Sequence, residues 1–218
     1  MSISKEITKL EPFIRILNDE LNIGLPGFEA QKLMSPSSRE QALLKSDPSK
    51  ARDSSVLLLF YPKEGQLHLP FIKRTTGNTN HSGQMSFPGG KYEESDANRT
   101  ITAIRETNEE LGVECEKINI LGFLTELYIP VSNFMVLPVL AYSDERPSFT
   151  LSEFEVEELI EMPLTELLQK DNISEFIINK NGHRIAAPFF HAKGHKIWGA
   201  TAMILSELRE ILLRAALI

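Results

Sequence analysis

Arg105 is followed at once by Glu106 and, after two intervening residues, by the pair Glu109 and Glu110 in the segment DANRTITAIRETNEELG. At about 100° per residue on a helix these three carboxylates share one side, and Arg105 lies one turn before Glu109. Bathed in water, such a cluster is an ordinary acidic surface whose like-charge pairs cost about 0.2–0.5 kcal/mol each. Lining a cleft, carboxylates roughly 6 Å apart at an effective dielectric near 20 repel by about 3 kcal/mol per pair, and a divalent cation reverses that sign. Hard oxygen ligands with no neighbouring cysteine or histidine favour Mg2+ or Mn2+ over zinc, and such an ion keeps positions for phosphate oxygens. The chemistry this points to is metal-assisted cleavage of a pyrophosphate. Glu106, or second to it Glu155 in SEFEVEEL, would take the proton from water.

A helix must carry these side chains. Asp96 is the expected cap and Gly112 the expected stop, with Ala97, Ile101, Ile104 and Leu111 forming the stripe that meets a sheet. Upstream, Val56 to Tyr61 and His68 to Arg74 flank Lys63-Glu64-Gly65-Gln66, the pattern of a β-hairpin. Further strands are expected at 118–128, 134–142, 155–161 and 184–191, with turns at Asn181-Gly182 and Lys193-Gly194. A short helix is expected after Pro163 and a longer one over 199–216, where Met203, Ile204, Leu208, Ile211 and Leu212 have core spacing. Trp198 and this stripe therefore receive no chemistry. His183, His191 and His195 lack a firm ligand spacing and are read as surface or hydrogen-bonded histidines.

Ile3, Ile7, Leu10, Phe13, Ile14, Leu17 and Leu21 predict an amphipathic helix over 3–22, closed by Gly24 and Pro26. The polar, proline-bearing stretch 24–54 reads as an irregular connection. The division expected is thus residues 1–54 as N-terminal helix and connection, and 55–218 as one mixed α/β domain.

Composition removes several function classes. A formal charge of -7 over 218 residues, with no basic stripe, argues against nucleic-acid binding by phosphate neutralisation. An anionic small-molecule substrate would need metal help. Cys115 is the single cysteine, so no intrachain disulfide forms, and the N-terminus lacks the pattern of a secretory signal. No apolar run is long enough to span a bilayer. A reduced, cytoplasmic setting without membrane attachment is the expectation, and the sequence leaves the oligomeric state open.

The segment GGKYEESDANRTITAIRETNEELGV resembles the Nudix box, G-x5-E-x7-R-E-U-x-E-E-x-G-U with U aliphatic. Gly90, Arg105, Glu106, Glu109, Glu110, Gly112 and Val113 fall on its fixed positions. Asp96 stands in place of the first glutamate, one extra residue separates it from Arg105, and Thr107 takes an aliphatic position. The resemblance implies an α/β/α sandwich around a mixed β-sheet and hydrolysis of nucleoside diphosphate derivatives by water attack at phosphorus. It also implies that Glu106, Glu109 and Glu110 bind metal, that Arg105 orients a neighbouring glutamate, and that Gly90 permits the tight backbone before the helix. Asp96 would be structural.

Ahead of the box, FIKRTTGNTNHSGQMSFPGG resembles the signature of the coenzyme A pyrophosphatase subfamily, L-L-T-x-R-[SA]-x3-R-x3-G-x3-F-P-G-G. Arg74, Gly83, Phe87, Pro88, Gly89 and Gly90 match, whereas Ile72, Thr75 and Thr79 replace the expected threonine, small residue and second arginine. LYIPVSNFMVLPVLAY and HKIWGATAMIL also look like stretches of that subfamily. The implied reaction cuts coenzyme A or a derivative into 3',5'-ADP and 4'-phosphopantetheine, with Lys73, Arg74, His81, Gly83, Gly89 and Gly90 facing substrate. The alternatives are a pyrophosphatase of ADP-sugars, dinucleotides or nucleoside triphosphates, and a Nudix-fold sensor that binds a nucleotide without turnover.

Overall fold

The apolar run VLLLFY sits inside strand β1 (Arg52–Lys63), and its residues alternate between two cores. Leu57, Leu59 and Tyr61 enter one, Leu58 and Phe60 the other. A strand buried on both faces reads as a continuous apolar run, which is what the sequence shows. In the computed structural model, which describes residues 8–76, 83–180 and 183–215, β1 is the axis of an eight-stranded mixed sheet. The expectations for His81, Thr79, the Asn181-Gly182 turn and the helix residues before Thr8 fall outside the described residues.

Along one edge β1 pairs in parallel with β7 (Phe134–Tyr142), from Arg52↔Phe134 to Phe60↔Tyr142. Its other edge is divided. The end of β1 forms the expected hairpin with β2 (Gln66–Arg74), Lys63 facing Gln66, while Ser54–Val56 pair with β4 (Gly89–Lys91). Glu64 and Gly65 both take positive φ, 52° and 77°, as a two-residue hairpin turn of the primed type requires. β3 (Met85–Ser86) and β8 (Val156–Pro163) flank β2, and β5 (Asn119–Phe123) and β6 (Leu127–Ile129) pair with β7. The stretch expected as one strand over 118–128 is therefore two. A smaller antiparallel sheet joins β9 (Ile173–Lys180), β10 (His183–Ala192) and β11 (His195–Trp198), with Lys193-Gly194 turning the last pair.

Helices cover both faces, giving the α/β/α sandwich. α1 (Leu10–Ile23) and the apolar stripe of α6 (Ala200–Ala215) share one core, where Phe13 and Leu17 meet Leu58, Phe60, Leu205 and Leu208. α4 (Arg99–Leu111) covers the other face through Ala103 and Leu111. The segment expected to be irregular contains two short helices, α2 (Phe28–Gln31) and α3 (Arg39–Leu44), and β1 begins within it at Arg52, while α5 (Leu164–Leu167) is the short helix expected after Pro163. Burial explains the first, since Ala30, Gln31 and Met34 are enclosed although the surrounding sequence is polar.

Glu207, fully buried on α6, accepts hydrogen bonds from Gly27 N (3.1 Å), Gln31 Nε2 (2.9 Å) and Thr125 Oγ1 (2.6 Å). Arg214 near the end of α6 pairs with the buried Glu20 carboxylate and donates to Glu20 O and Gly24 O at 3.0 Å each. Among the described residues no helix is long and apolar enough to cross a membrane.

Candidate active site

The helix that carries the acidic cluster begins two residues later than its sequence suggests. Asn98 is the N-cap, its Oδ1 accepting from Thr100 N (2.9 Å) and Ile101 N (3.1 Å). Asp96, expected in that role, is instead buried and gathers four donors: Glu93 N (3.0 Å), Thr102 Oγ1 (2.8 Å), Arg105 Nε (2.9 Å) and Arg105 Nη2 (3.1 Å). These bonds, led by those from Arg105, hold its carboxyl below the usual carboxylate range. Gly112 closes the helix as expected, in the left-handed region at φ +67°.

The buried stripe also differs from the one expected. Ile101 is 41% exposed and Ala97 is exposed, whereas Thr102, Ala103, Thr107, Glu110 and Leu111 face inward. Ala103, Thr107, Glu110 and Leu111 follow i, i+4, i+7, i+8 spacing, so this is a regular helical face with polar members. Thr107 satisfies its hydroxyl within the helix, on Ala103 O at 2.7 Å, and can therefore be buried. Small residues on this face bring the helix close to β1 and β4 and carry Glu110 inward.

Burial grades the three glutamates: Glu110 is fully enclosed, the Glu106 side chain is 15% exposed and that of Glu109 51%. Glu110 Oε2 accepts from Gly89 N (2.8 Å) and Oε1 from Arg74 Nη1 (3.1 Å). Arg105 Nη1 donates to Glu106 Oε1 and Glu109 Oε2 at 3.0 Å each, and its Nη2 also reaches Lys91 O at 3.1 Å. Desolvation pushes the Glu110 carboxyl up to about 8, Arg74 and Gly89 opposing, Glu106 and Glu155 reinforcing. Glu106 is raised as well, chiefly by burial and against the pull of Arg105.

Two glycines make this arrangement sterically possible. A Cβ on Gly90 would fall inside the Glu106 carboxyl, and one on Gly89, at φ +150°, would lie 2.6 Å from Val56 Cα. Gly83, at φ +68°, precedes this loop.

Glu155 is exposed in the turn before β8, not within a strand, and its charge is felt by both Glu106 and Glu110. That turn is tied to its surroundings by Thr75 N to Glu155 O (3.1 Å), Thr75 Oγ1 to Phe154 O (2.9 Å) and Ser152 N to Glu110 O (3.0 Å). Lys73 neighbours Arg74 on β2, but its ammonium pairs with Glu157 at 2.5 Å instead of with the box carboxylates. The structure thus brings together Arg74, Gly89, Gly90, Arg105, Glu106, Glu109, Glu110 and Glu155. His191 bonds Ser174 Oγ (2.8 Å) and His195 lies 3.3 Å from Glu158, on the smaller sheet and its border.

Among the described residues no trio of His, Cys, Asp and Glu side chains is gathered at metal-ligand distances, and guanidinium groups engage the glutamates. The donor set nonetheless fits a hard divalent cation. Asp96, Glu106, Glu109, Glu110 and Glu155 outnumber Arg74 and Arg105, and burial raises the carboxyls of Glu106 and Glu110.

A model of the NUDIX domain matches residues 51–179, more than half of the chain. The chain belongs to the Nudix family. The mouse mitochondrial coenzyme A diphosphatase NUDT8 is 34% identical over 188 residues, covering 83% of this chain and 86% of its own length. Nudix hydrolase NudL of Enterobacter sp. (strain 638) is 32% identical over 165 residues, 76% of this chain and 85% of that protein. The chloroplastic Nudix hydrolase 22 of Arabidopsis thaliana is 33% identical over 164 residues, 72% of this chain, which spans only 53% of that relative. Among solved structures, the Nudix hydrolase RenU of M. smegmatis superposes with a TM-score of 0.51 at 18% identity, over 75% of this chain and 87% of that one. That likeness concerns the Nudix fold. Nudix hydrolases generally use divalent metals.

Proposed function

We propose that this chain is a divalent-metal-dependent pyrophosphohydrolase of a nucleoside diphosphate derivative, and that its substrate is coenzyme A or a coenzyme A derivative. The observation that carries the chemistry is the convergence of Glu106, Glu109 and Glu110 on the Gly89–Gly90 loop, with Glu110 fully buried and bonded to Gly89 N. Arg74, Gly83 and Phe87-Pro88-Gly89-Gly90 support the substrate, as does the 34% identity to a relative named as a coenzyme A diphosphatase.

Glu106, Glu109 and Glu110 would hold Mg2+ or Mn2+, which supplies Lewis acidity toward pyrophosphate oxygens and toward water. Arg105, itself clamped by Asp96, fixes Glu106 and Glu109 in position. Water attacks one phosphorus, the bridging P–O bond breaks, and the proton passes to Glu106 or Glu155. Coenzyme A then yields 3',5'-ADP and 4'-phosphopantetheine. Lys73, Arg74 and His81 are the candidates for contact with substrate phosphates, and Gly83, Gly89 and Gly90 would let the backbone approach them. Thr79, in place of the second signature arginine, favours keeping a second reading in the test, a pyrophosphatase of ADP-sugars or dinucleotides.

The test is a substrate panel with Mg2+ or Mn2+, with and without EDTA, and identification of products. Metal-dependent release of 3',5'-ADP from coenzyme A is expected. Hydrolysis of ADP-ribose or dinucleotides with coenzyme A untouched would remove the substrate assignment and keep the chemistry. Tight nucleotide binding with no turnover of any substrate would select the sensor reading. The sequence reading places this work in the cytoplasm, while two relatives carry mitochondrial and chloroplastic names, so subcellular fractionation tests the compartment.

A further inference from the structure

Each of the three box glutamates has one oxygen held by a guanidinium, and the two guanidiniums are anchored very differently. Arg105 bridges Glu106 and Glu109 while also bonded to both oxygens of Asp96 and to Lys91 O. It is a fixture. The Arg74 guanidinium makes one contact among the described residues, Nη1 to Glu110 Oε1 at 3.1 Å, and a third of the side chain faces solvent. It follows the point where the β2–β8 register shifts, between Lys73 and Arg74. The other Glu110 oxygen is taken by Gly89 N, so Oε1, the oxygen on which Arg74 sits, is the one a cation would contest.

We propose that Arg74 is an exchangeable counter-ion: it neutralises buried Glu110 until a divalent cation takes over, and the released guanidinium then serves the substrate's phosphate. Arg74 is a positioning residue for Glu110 in one state and a phosphate ligand in the other. Metal and anion binding are thereby coupled through one side chain, and the coupling is reciprocal. Removing the cation from a buried ion pair leaves the carboxylate uncompensated, which is costly. This inference rests on the proposed metal-dependent reading.

Titration calorimetry with Mn2+ alone, and then with the uncleavable α,β-methylene-ADP in the presence of Mn2+, tests it without turnover. Arg74→Gln removes a cation that opposes the metal and later binds the anion. Mn2+ affinity should therefore rise about tenfold while the analogue's affinity falls about tenfold, two changes of opposite sign. Arg74→Lys should fall between wild type and Arg74→Gln on both measurements. In a Glu110→Gln background, Arg74→Gln should give no gain in Mn2+ affinity, because the effect acts through Glu110. That pair, together with Arg74→Lys, also answers the question if Arg74→Gln alone folds poorly.

Unchanged or weaker Mn2+ affinity in Arg74→Gln overturns the proposal, as does a gain in Mn2+ affinity without loss of analogue binding. Wild-type protein that binds no Mn2+ overturns both this inference and the proposed function. Normal metal binding and turnover with an indifferent Arg74 overturns only the inference.

Discussion

Glu161→Gln is expected to weaken the fold by an amount that depends on pH in a defined way. Glu161 closes β8 onto β1 and β2, accepting from Tyr61 Oη (3.0 Å), Lys63 Nζ (2.8 Å), Arg146 Nε (2.7 Å) and Arg146 Nη2 (3.0 Å). Burial alone would raise its carboxyl, but the hydrogen bonds from Arg146, Lys63 and Tyr61 outweigh that and hold it down at about 2, against 4.5 for an unperturbed glutamate. That difference corresponds to about 3 kcal/mol at neutral pH. Arg146 is 44% exposed and solvent screens its share, so about 2 kcal/mol is expected. For a protein of this size the loss lowers Tm by about 4–8 °C. A depressed pKa stabilises the fold above the unfolded value and loses that contribution as pH falls through the folded one. The gap between wild type and variant should therefore be full at pH 6–7, shrink below about pH 4.5 and vanish near pH 2. Urea unfolding at a series of pH values measures it. A gap of the same size at pH 7 and pH 3, or none at pH 7, refutes the reasoning.

Gly90→Ala places a methyl group on the Glu106 carboxyl and should lower kcat by about 100-fold through misplacement, with near-native circular dichroism as the check that the fold survives. Glu109→Gln and Glu110→Gln each keep shape and remove a charge. Both should reduce kcat by at least about 100-fold at saturating Mn2+ with little loss of stability, and near-normal turnover in both would remove them from the site. Asp96→Asn loosens Arg105 without touching substrate, so kcat should fall about tenfold, and a panel of unrelated substrates should show the same factor.

Much of the fold was legible because the local signals agreed with the tertiary outcome. Glu64-Gly65 and Lys193-Gly194 need positive φ and stand between strand patterns, and VLLLFY has no face to give to water. The misreadings share a physical cause, which is that a polar residue whose hydrogen bonds are satisfied can be buried, and its type alone does not show this. Thr102, Thr107 and Glu110 were invisible as a packing face for that reason, and Ile101 was mistaken for core. Asp96 looked like a cap because nothing local announces that Arg105, nine positions later, folds back onto it. The short helix at Phe28–Gln31 depends on Glu207, some 180 positions away, and no window of sequence contains both. Within the site, the residue types and spacing of the glutamates were readable. Their graded burial and the capture of Arg74 by Glu110 arise from how closely the Gly89–Gly90 loop approaches the helix.

The Glu207 cluster bears on how this protein can be shortened. A chain cut at residue 51, where the family model begins, would keep α6 and its carboxylate but lose Gly27 N and Gln31 Nε2, leaving Thr125 to satisfy it. A fully buried carboxyl would then lack two of its hydrogen-bond donors, which is costly. Gly27 and Gln31 behave as a solid solvent, supplying from fixed positions the hydrogen bonds that Glu207 gave up to water on folding. A trimmed version needs that solvent replaced, and Glu207→Leu together with the deletion should recover more folded protein than the deletion alone.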